Sequence, residues 1–150
     1  MFYKKYFLYN DGIELILPAN LVMEDSFLLP QYYWFSEDRK TVVNVARGTI
    51  VNREIGIRLS EYYKEFVRNI SRFHCSRIAR REINGFSYGE MRYSSFMMGY
   101  HFFNYFLLGD FRERELLMTI QCMSSDIGEY GHIFENVLDS LKIIENRRMG

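Results

Sequence analysis

The spacing of hydrophobic and polar positions along the chain predicts a structure built mainly of β-strands. Successive side chains of a strand point to opposite faces, so a period of two indicates a strand with one buried face. Residues 19–29 fit either a loop or a short helical turn. Alternation, or a short run of aromatic and β-branched residues, predicts strands at 2–9, 13–17, 32–35, 41–46, 77–83, 86–93, 99–108 and 116–122.

Turn residues separate several of these strands. Asn84-Gly85 is the strongest hairpin signal, because Asn and Gly tolerate the positive φ that tight turns need. Asn10-Asp11-Gly12 predicts a turn for the same reason, and Gly109-Asp110 is expected to end the aromatic strand that begins near residue 99.

Two segments instead repeat their apolar residues every three or four positions, which is typical of amphipathic helices. The first helix is predicted at about 57–72 and the second at about 127–145. Asp126 is a plausible N-cap of the second helix, with Glu129 three residues later as in a capping box. Arg147 and Arg148 suit a helix C-terminus.

The order of strands, helix, strands, helix predicts the fold class. Layer packing rules favour an α+β fold, in which a mostly antiparallel sheet of about six to eight strands is flanked by the two helices. A chain of 150 residues without a linker is expected to form one domain over residues 1–150.

Composition and charge narrow the location and the partners. The 19 basic and 19 acidic side chains cancel, so no global charge attracts nucleic acid or an anionic membrane. No run approaches 18 apolar residues, and the apolar stretch after Lys4 and Lys5 is too short for a signal peptide. Cys75 and Cys122 are too few for a disulfide framework. The sequence therefore predicts a cytoplasmic protein without a membrane partner.

The order of elements resembles the PsbP/Mog1-like fold. The resemblance rests on the hairpin segment 11–18, on a central helix followed by a strand meander carrying Asn84-Gly85, and on the closing helix segment 133–141. It implies a largely non-catalytic protein that binds other proteins, because members of that group bind a small GTPase in one branch and a photosynthetic complex in another. No residue set transfers either partner to this chain.

The polar residues that could carry chemistry are poorly spaced for it. His74-Cys75 is a weak metal pair, because adjacent strand residues point to opposite faces. Ser125, Asp126 and His132 lack a nucleophile elbow, and helix capping explains the first two. Glu113 and Glu115 are expected to share a strand face as part of a solvated edge with mixed charges. We therefore predict no catalytic residues, no metal and no cofactor, and a protein that is not an enzyme.

The surplus of aromatic residues, 17% of the chain, points to binding instead. Two helices are too few to cover both faces of so broad a sheet, so some aromatic side chains are expected to be exposed. Exposed Tyr, Trp and Arg mark protein-binding surfaces. The predicted surface consists of Tyr32, Trp34, Arg77, Arg81, Tyr88, Arg92 and Tyr93.

The partner of this surface is predicted to be a protein, and pairing with a second copy of the chain stays open. The alternative is a small-molecule or single-stranded nucleic-acid binder that uses an aromatic cleft beside the arginines between Arg68 and Arg92. The neutral total charge disfavours nucleic acid. A deep apolar pocket with convergent polar groups would favour a small molecule.

Overall fold

The fold is given by a computed structural model that describes residues 2–24 and 31–144. These ranges contain ten strands and two helices, α1 (Ile55–Asn69) and α2 (Ile127–Asp139). Neither described helix has the length and apolar character needed to cross a membrane. The strands are β1 (Tyr3–Leu8), β2 (Ile13–Pro18), β3 (Val22–Glu24), β4 (Tyr32–Phe35), β5 (Val42–Ile50), β6 (His74–Ile83), β7 (Phe86–Met97), β8 (Tyr100–Phe111), β9 (Arg114–Met123) and β10 (Lys142–Ile143).

The strands pair into two antiparallel sheets. The large sheet has seven strands in the order β3-β4-β5-β9-β8-β7-β6, and the small sheet has the order β1-β2-β10. An α+β fold with an antiparallel sheet of six to eight strands and two flanking helices is thereby confirmed. The small sheet joins the two ends of the described chain, because Ile143 pairs with Ile13.

One face of the large sheet packs against the small sheet and α2. Leu15 of β2, Trp34 of β4, Met118 of β9 and Phe134 of α2 all belong to this main core and are almost fully buried. The ring of Tyr6 on β1 meets the ring of Trp34 edge-on at 5.3 Å between centroids. Burial of these apolar groups against one another is the main source of stability in such a layered fold.

The opposite face of the large sheet carries α1, which packs on β7 and β8. Leu59 and Phe66 of α1 lie over Met91, Tyr93 and Phe106 in a second, smaller core. The rings of Phe66 and Phe106 meet edge-on at 5.2 Å. Because α1 lies over one end of the seven-stranded sheet, the two faces of that sheet are covered unequally.

Helix α1 begins two residues earlier than predicted and ends three residues earlier. Its start is fixed by the Glu54 carboxylate, which accepts hydrogen bonds from the backbone N–H groups of Gly56 at 2.8 Å and Ile57 at 3.2 Å. Its end is fixed by Ile70, whose backbone is extended. Two of the helix's orphan N–H donors are thus satisfied by a glutamate side chain.

Helix α2 starts where predicted, but the capping box is wrong and the predicted end at 145 is wrong. Asp126 adopts a helical conformation at the end of a 3-10 turn, and its side chain makes no capping bond. The helix ends at Asp139 because the Ser140 hydroxyl bonds to the backbone of Ile16 on β2. The chain then enters β10 instead of continuing the helix, and Arg147 and Arg148 lie outside the described residues.

The β8–β9 turn differs from the prediction for a packing reason. Gly109 lies inside β8, where the missing Cβ leaves room for the ring of Tyr88. The turn comes later, at Arg112 and Glu113, which both have positive φ. The expected shared face of Glu113 and Glu115 is therefore wrong, since Glu113 lies in the turn. Within the ambiguous stretch 19–29, residues 22–24 form β3, and residues 25–29 lie outside the described part.

Candidate binding groove

The uneven cover of the large sheet leaves a groove beside α1, with β9 as its floor. Side chains at alternate positions of β9 share one face, so Glu115, Leu117, Thr119 and Gln121 line the groove in sequence. Leu117, Thr119 and Gln121 are half-buried, whereas the opposite face of β9 is part of the main core. We call this surface the β9 groove. Its floor from Glu115 to Gln121 is about 20 Å long at ~3.3 Å per residue.

A buried ion pair closes one end of the β9 groove. Arg58 of α1 is 3% exposed and Glu115 of β9 is 1% exposed. The Arg58 guanidinium donates to Glu115 Oε2 at 3.0 Å, to Asp110 at 2.9 Å and to the Arg53 carbonyl at 2.7 Å. A buried charge is tolerable only when its partners are this complete. The pair fixes the N-terminal half of α1 to the sheet.

The remaining contacts of Glu115 complete this end. The Tyr62 hydroxyl donates to Glu115 Oε1 at 2.6 Å, and the backbone N–H of Thr49 donates to the same atom at 3.3 Å. Gly48 makes room for the carboxylate, because a Cβ at that position would lie 2.5 Å from Glu115 Oε1. Burial, and then the hydrogen bond to Glu115, raises the pKa of Tyr62 above its ordinary value. Tyr62 is therefore a hydrogen-bond donor at neutral pH.

A cavity of about 350 Å³ lies over this ion pair. Glu61 and Glu65 of α1 form one wall of the cavity, and Thr49 of β5 lies on the other side. Arg53 pairs with Glu61, but Glu65 forms no ion pair with any residue in the described ranges. The cavity is thus lined by three glutamates and two arginines and has a surplus of negative charge.

Amide and hydroxyl groups form the other end of the β9 groove. Asn104 of β8 is 2% exposed and donates to Ser95 Oγ at 3.0 Å, while Gln121 donates to Asn104 Oδ1 at 3.0 Å. A second cavity of about 370 Å³ is lined by these three residues together with Asn69 and Ile70 at the end of α1. This end is neutral and can both donate and accept hydrogen bonds.

The outer wall of the groove comes from β5 and β4. Asn44 pairs with Thr119, and Tyr33 pairs with Asn44, so their side chains share the groove face. The rings of Tyr33 and Phe35 stack at 6.0 Å, and Asn44 Nδ2 donates to the Tyr32 carbonyl at 3.2 Å. All these side chains are half-buried, which places aromatic and amide groups along the rim.

The aromatic residues predicted to be exposed lie elsewhere. Trp34 is 0% exposed, Tyr88 is 1% and Tyr93 is 6%, so the expected exposure of these three is wrong, while Tyr32 is half-buried. Trp34 points into the main core because that face of β4 meets the small sheet, whereas Tyr33 lies on the opposite face. Tyr88 and Tyr93 occupy positions of opposite parity on β7, so they lie in different cores.

The predicted arginines are brought together, but around a buried carboxylate. Arg77, Arg81 and Arg92 all donate to Glu90, which is 1% exposed, at 2.7–3.1 Å. Burial alone would raise the pKa of Glu90, but the hydrogen bond from Arg81 and the charges of Arg92 and Arg81 outweigh it and lower that pKa.

The same arginines also bind α2. Arg81 pairs with Glu135 at 3.0 Å and with Asp139 at 2.8 Å, and Arg92 pairs with Glu135. Three arginines are thereby matched by three carboxylates, Glu90, Glu135 and Asp139. The cluster acts as a clamp between α2 and the sheet and leaves little net charge for nucleic acid.

A separate cleft of about 560 Å³ lies at the start of α2, away from the arginines. Its apolar lining includes Leu21, Tyr130 and Phe134, and its carboxylates are Glu37, Asp38 and Asp126. Its volume is within the range of small-molecule sites.

In the described residues, no group of three or more His, Cys, Asp or Glu side chains is placed to hold a metal ion.

The residues that shape the groove were not predicted from the sequence. Arg58 gave a usable signal, since it lies three residues after Ile55 and four before Tyr62 on the apolar stripe of α1. The position of Glu115 gave none, because its partner is 57 residues away.

Comparisons with known proteins establish the fold. No protein-family model and no curated protein matches the sequence. Among solved structures, cyanobacterial PsbP (CyanoP) from Synechocystis sp. PCC 6803 superposes with a TM-score of 0.69 over 95% of this chain and 92% of that chain, at 12% identity.

Two further solved structures give the same result. PA94 from Pseudomonas aeruginosa, a protein of unknown function, has a TM-score of 0.67 over 95% of this chain and 98% of its own, at 12% identity. LpqN, involved in cell envelope biogenesis of Mycobacterium tuberculosis, has a TM-score of 0.64 over 95% and 91%, at 11% identity. The predicted PsbP/Mog1-like fold is thereby confirmed.

Proposed function

We propose that this protein is a non-catalytic binding module that holds an extended segment of a partner protein in the β9 groove. The observation that carries the proposal is the half-buried floor of Leu117, Thr119 and Gln121 between two polar cavities. A floor of about 20 Å matches roughly six residues of extended chain at ~3.3 Å per residue.

The chemistry of the groove suits a peptide backbone. An extended segment presents alternating N–H and C=O groups, and each needs a partner when it leaves water. The half-buried Asn44 and Gln121 offer amide groups to a bound segment, while Tyr33 and Phe35 offer flat apolar contacts. The fold neighbours agree with this class, since none of the three is described as an enzyme.

Photocrosslinking in cells tests the proposal. A benzophenone amino acid is placed at position 119 on the groove floor, at position 44 on the groove wall, and at position 129 on the exposed start of α2 as a control. We expect the probes at 119 and 44 to crosslink one shared segment of one partner protein, and the probe at 129 to miss it. Crosslinks at 119 and 44 to unrelated sequences, or equal labelling at 129, would contradict the proposal.

The cleft of about 560 Å³ favours a second candidate, a small-molecule binder. Leu21, Tyr130 and Phe134 would hold an apolar body, and the surrounding carboxylates would select a cationic group. A thermal-shift screen of aromatic amines decides between the candidates. A compound that stabilises the native protein but not an Asp126→Asn variant supports the small-molecule function.

A further inference from the structure

The β9 groove differs in chemistry between its two ends, and this difference restricts what it can bind. The following inference rests on the proposed function, since it concerns the segment that the groove holds. At the end near Arg58, the wall of α1 presents Glu61 and Glu65 to the cavity. Arg58 is fully engaged by Glu115 and Asp110, so it offers no free charge to a ligand.

The charge left over at this end belongs to Glu65. Glu61 is paired with Arg53, whereas Glu65 has no ion-pair partner among the residues that the structure describes. Glu65 is exposed and lines the cavity over the Arg58–Glu115 pair, so its carboxylate borders the groove. An unmatched carboxylate at the edge of a partly enclosed cavity attracts a cation more strongly than one in open solvent.

Beyond its amide and hydroxyl groups, the opposite end of the groove is bordered by exposed apolar side chains of the β7–β8 hairpin. The β7–β8 hairpin lies at this end, because Phe102 pairs with Met123 at the end of β9. At its tip Met98 is 87% exposed and Met97 is 48% exposed, and Met97 also lines the cavity at this end. Flexible methionine side chains on an exposed surface adapt to varied apolar partners.

We infer that the bound segment is polarised, with a lysine or arginine beside Glu61 and Glu65 and apolar side chains against Met97 and Met98. Glu115 and Met123 are the ends of the groove face of β9, about 26 Å apart at ~3.3 Å per residue. Met97 pairs with Tyr100, two residues beyond the Phe102 that faces Met123, so the basic residue and the apolar residues are separated by about eight to ten positions of extended chain.

Selection from a random 12-residue peptide library tests both the groove and its polarity. Peptides displayed on phage are selected on the native protein, and the affinity of a selected peptide is measured by fluorescence anisotropy. We expect selected peptides to share a Lys or Arg about eight to ten positions from Leu, Ile, Met or Phe. Replacing that basic residue by Glu should weaken binding at least tenfold.

Charge reversal in the protein supplies the matching half of the test. Glu65 is exposed at the rim of the groove, so the Glu65→Lys variant is expected to keep the fold, and its binding preference should shift to peptides carrying Glu or Asp at the same position. Glu129→Lys, on the helix that covers the other face of the sheet, makes the same charge change and should leave the preference unchanged. An unchanged preference in Glu65→Lys would overturn the inference.

Blocking variants separate this inference from the proposed function. Thr119→Arg and Asn44→Arg each fill the middle of the groove, and thermal unfolding shows which of them is folded. If folded blocked variants lose the peptide but selected peptides show no basic residue, the groove binds peptides and the polarity is wrong. If no peptide is selected, or blocked variants bind as well as the native protein, both are wrong.

Discussion

At the scale of single residues, the pair of Arg58 and Glu115 connects stability with function. Each side chain is nearly inaccessible to solvent, and each has its hydrogen bonds satisfied by the other and by neighbouring groups. The pair fastens the first half of α1 to β9 and thereby sets the width of the β9 groove. Loss of either partner would leave a buried charge uncompensated.

Glu115→Ala is therefore expected to lower the free energy of unfolding by about 3–5 kcal/mol, because it leaves the Arg58 guanidinium with Asp110 as its one carboxylate partner among the described residues. Urea unfolding followed by circular dichroism measures the change. Glu113→Ala, in the exposed β8–β9 turn two residues away, serves as the control and should change that free energy by less than about 0.5 kcal/mol. Equal effects of the two substitutions would refute the structural role.

At the scale of secondary-structure elements, the type and order of most elements could be predicted from the sequence, but some side chains were assigned to the wrong face. Alternation in β4 shows that Tyr32 and Trp34 share one face and Tyr33 and Phe35 the other. It does not show which face meets the small sheet. That choice depends on β1 and β2, which are not neighbours of β4 in the large sheet.

Helix ends were missed for a related reason. The apolar stripe of α2 continues through Leu141 and Ile144, which favours a longer helix. Strand β2 competes with this longer helix, because one edge of β2 pairs with β10 and its Ile16 backbone bonds to Ser140. Contacts between residues more than 120 positions apart carry no local signal. The same limit hid the groove, which combines α1 with β9, β5 and β4.

The arginine–carboxylate clamp between α2 and the sheet is expected to make the stability of the protein depend on pH. The pKa of Glu90 is lower in the folded protein than its unfolded value of about 4.3. The ionised carboxylate therefore adds to the free energy of unfolding above that pH, and this stabilisation is lost as the pH falls through the folded pKa. Glu90→Gln should lower the free energy of unfolding by about 2 kcal/mol at pH 7. We expect this difference to shrink below about pH 4 in urea titrations.

The exposed Glu82→Gln variant on β6 is the matched control for this pH dependence. Its free energy of unfolding should stay within about 0.5 kcal/mol of the native protein at pH 7. If Glu90→Gln keeps its full deficit at pH 3, the stabilisation does not come from the ionised carboxylate, and the clamp would be explained by packing alone.

At the scale of the whole molecule, the small sheet brings the first strands, β1 and β2, together with the last strand, β10, at the main core. Leu141 is 1% exposed and lies between α2 and β10, so it belongs to the same core as Trp34 and Phe134. Leu141→Ala should lower the free energy of unfolding by about 2–5 kcal/mol in thermal or urea denaturation. Lys142→Ala, on the adjacent exposed position, should have little effect. A small effect of Leu141→Ala would mean that the last strand adds little to the fold.

The arrangement of β1, β2 and β10 also determines how the molecule responds to mechanical tension. Residue 3 lies beside Pro18 at one end of β2, and residue 143 lies beside Ile13 at the other end. A force that pulls residues 3 and 143 apart therefore acts along the strands, in opposite directions on either side of β2. Interstrand hydrogen bonds run perpendicular to the strands, so they are loaded together and not opened one after another. Tension between these two positions therefore loads the small sheet in shear, the direction in which paired strands separate least easily.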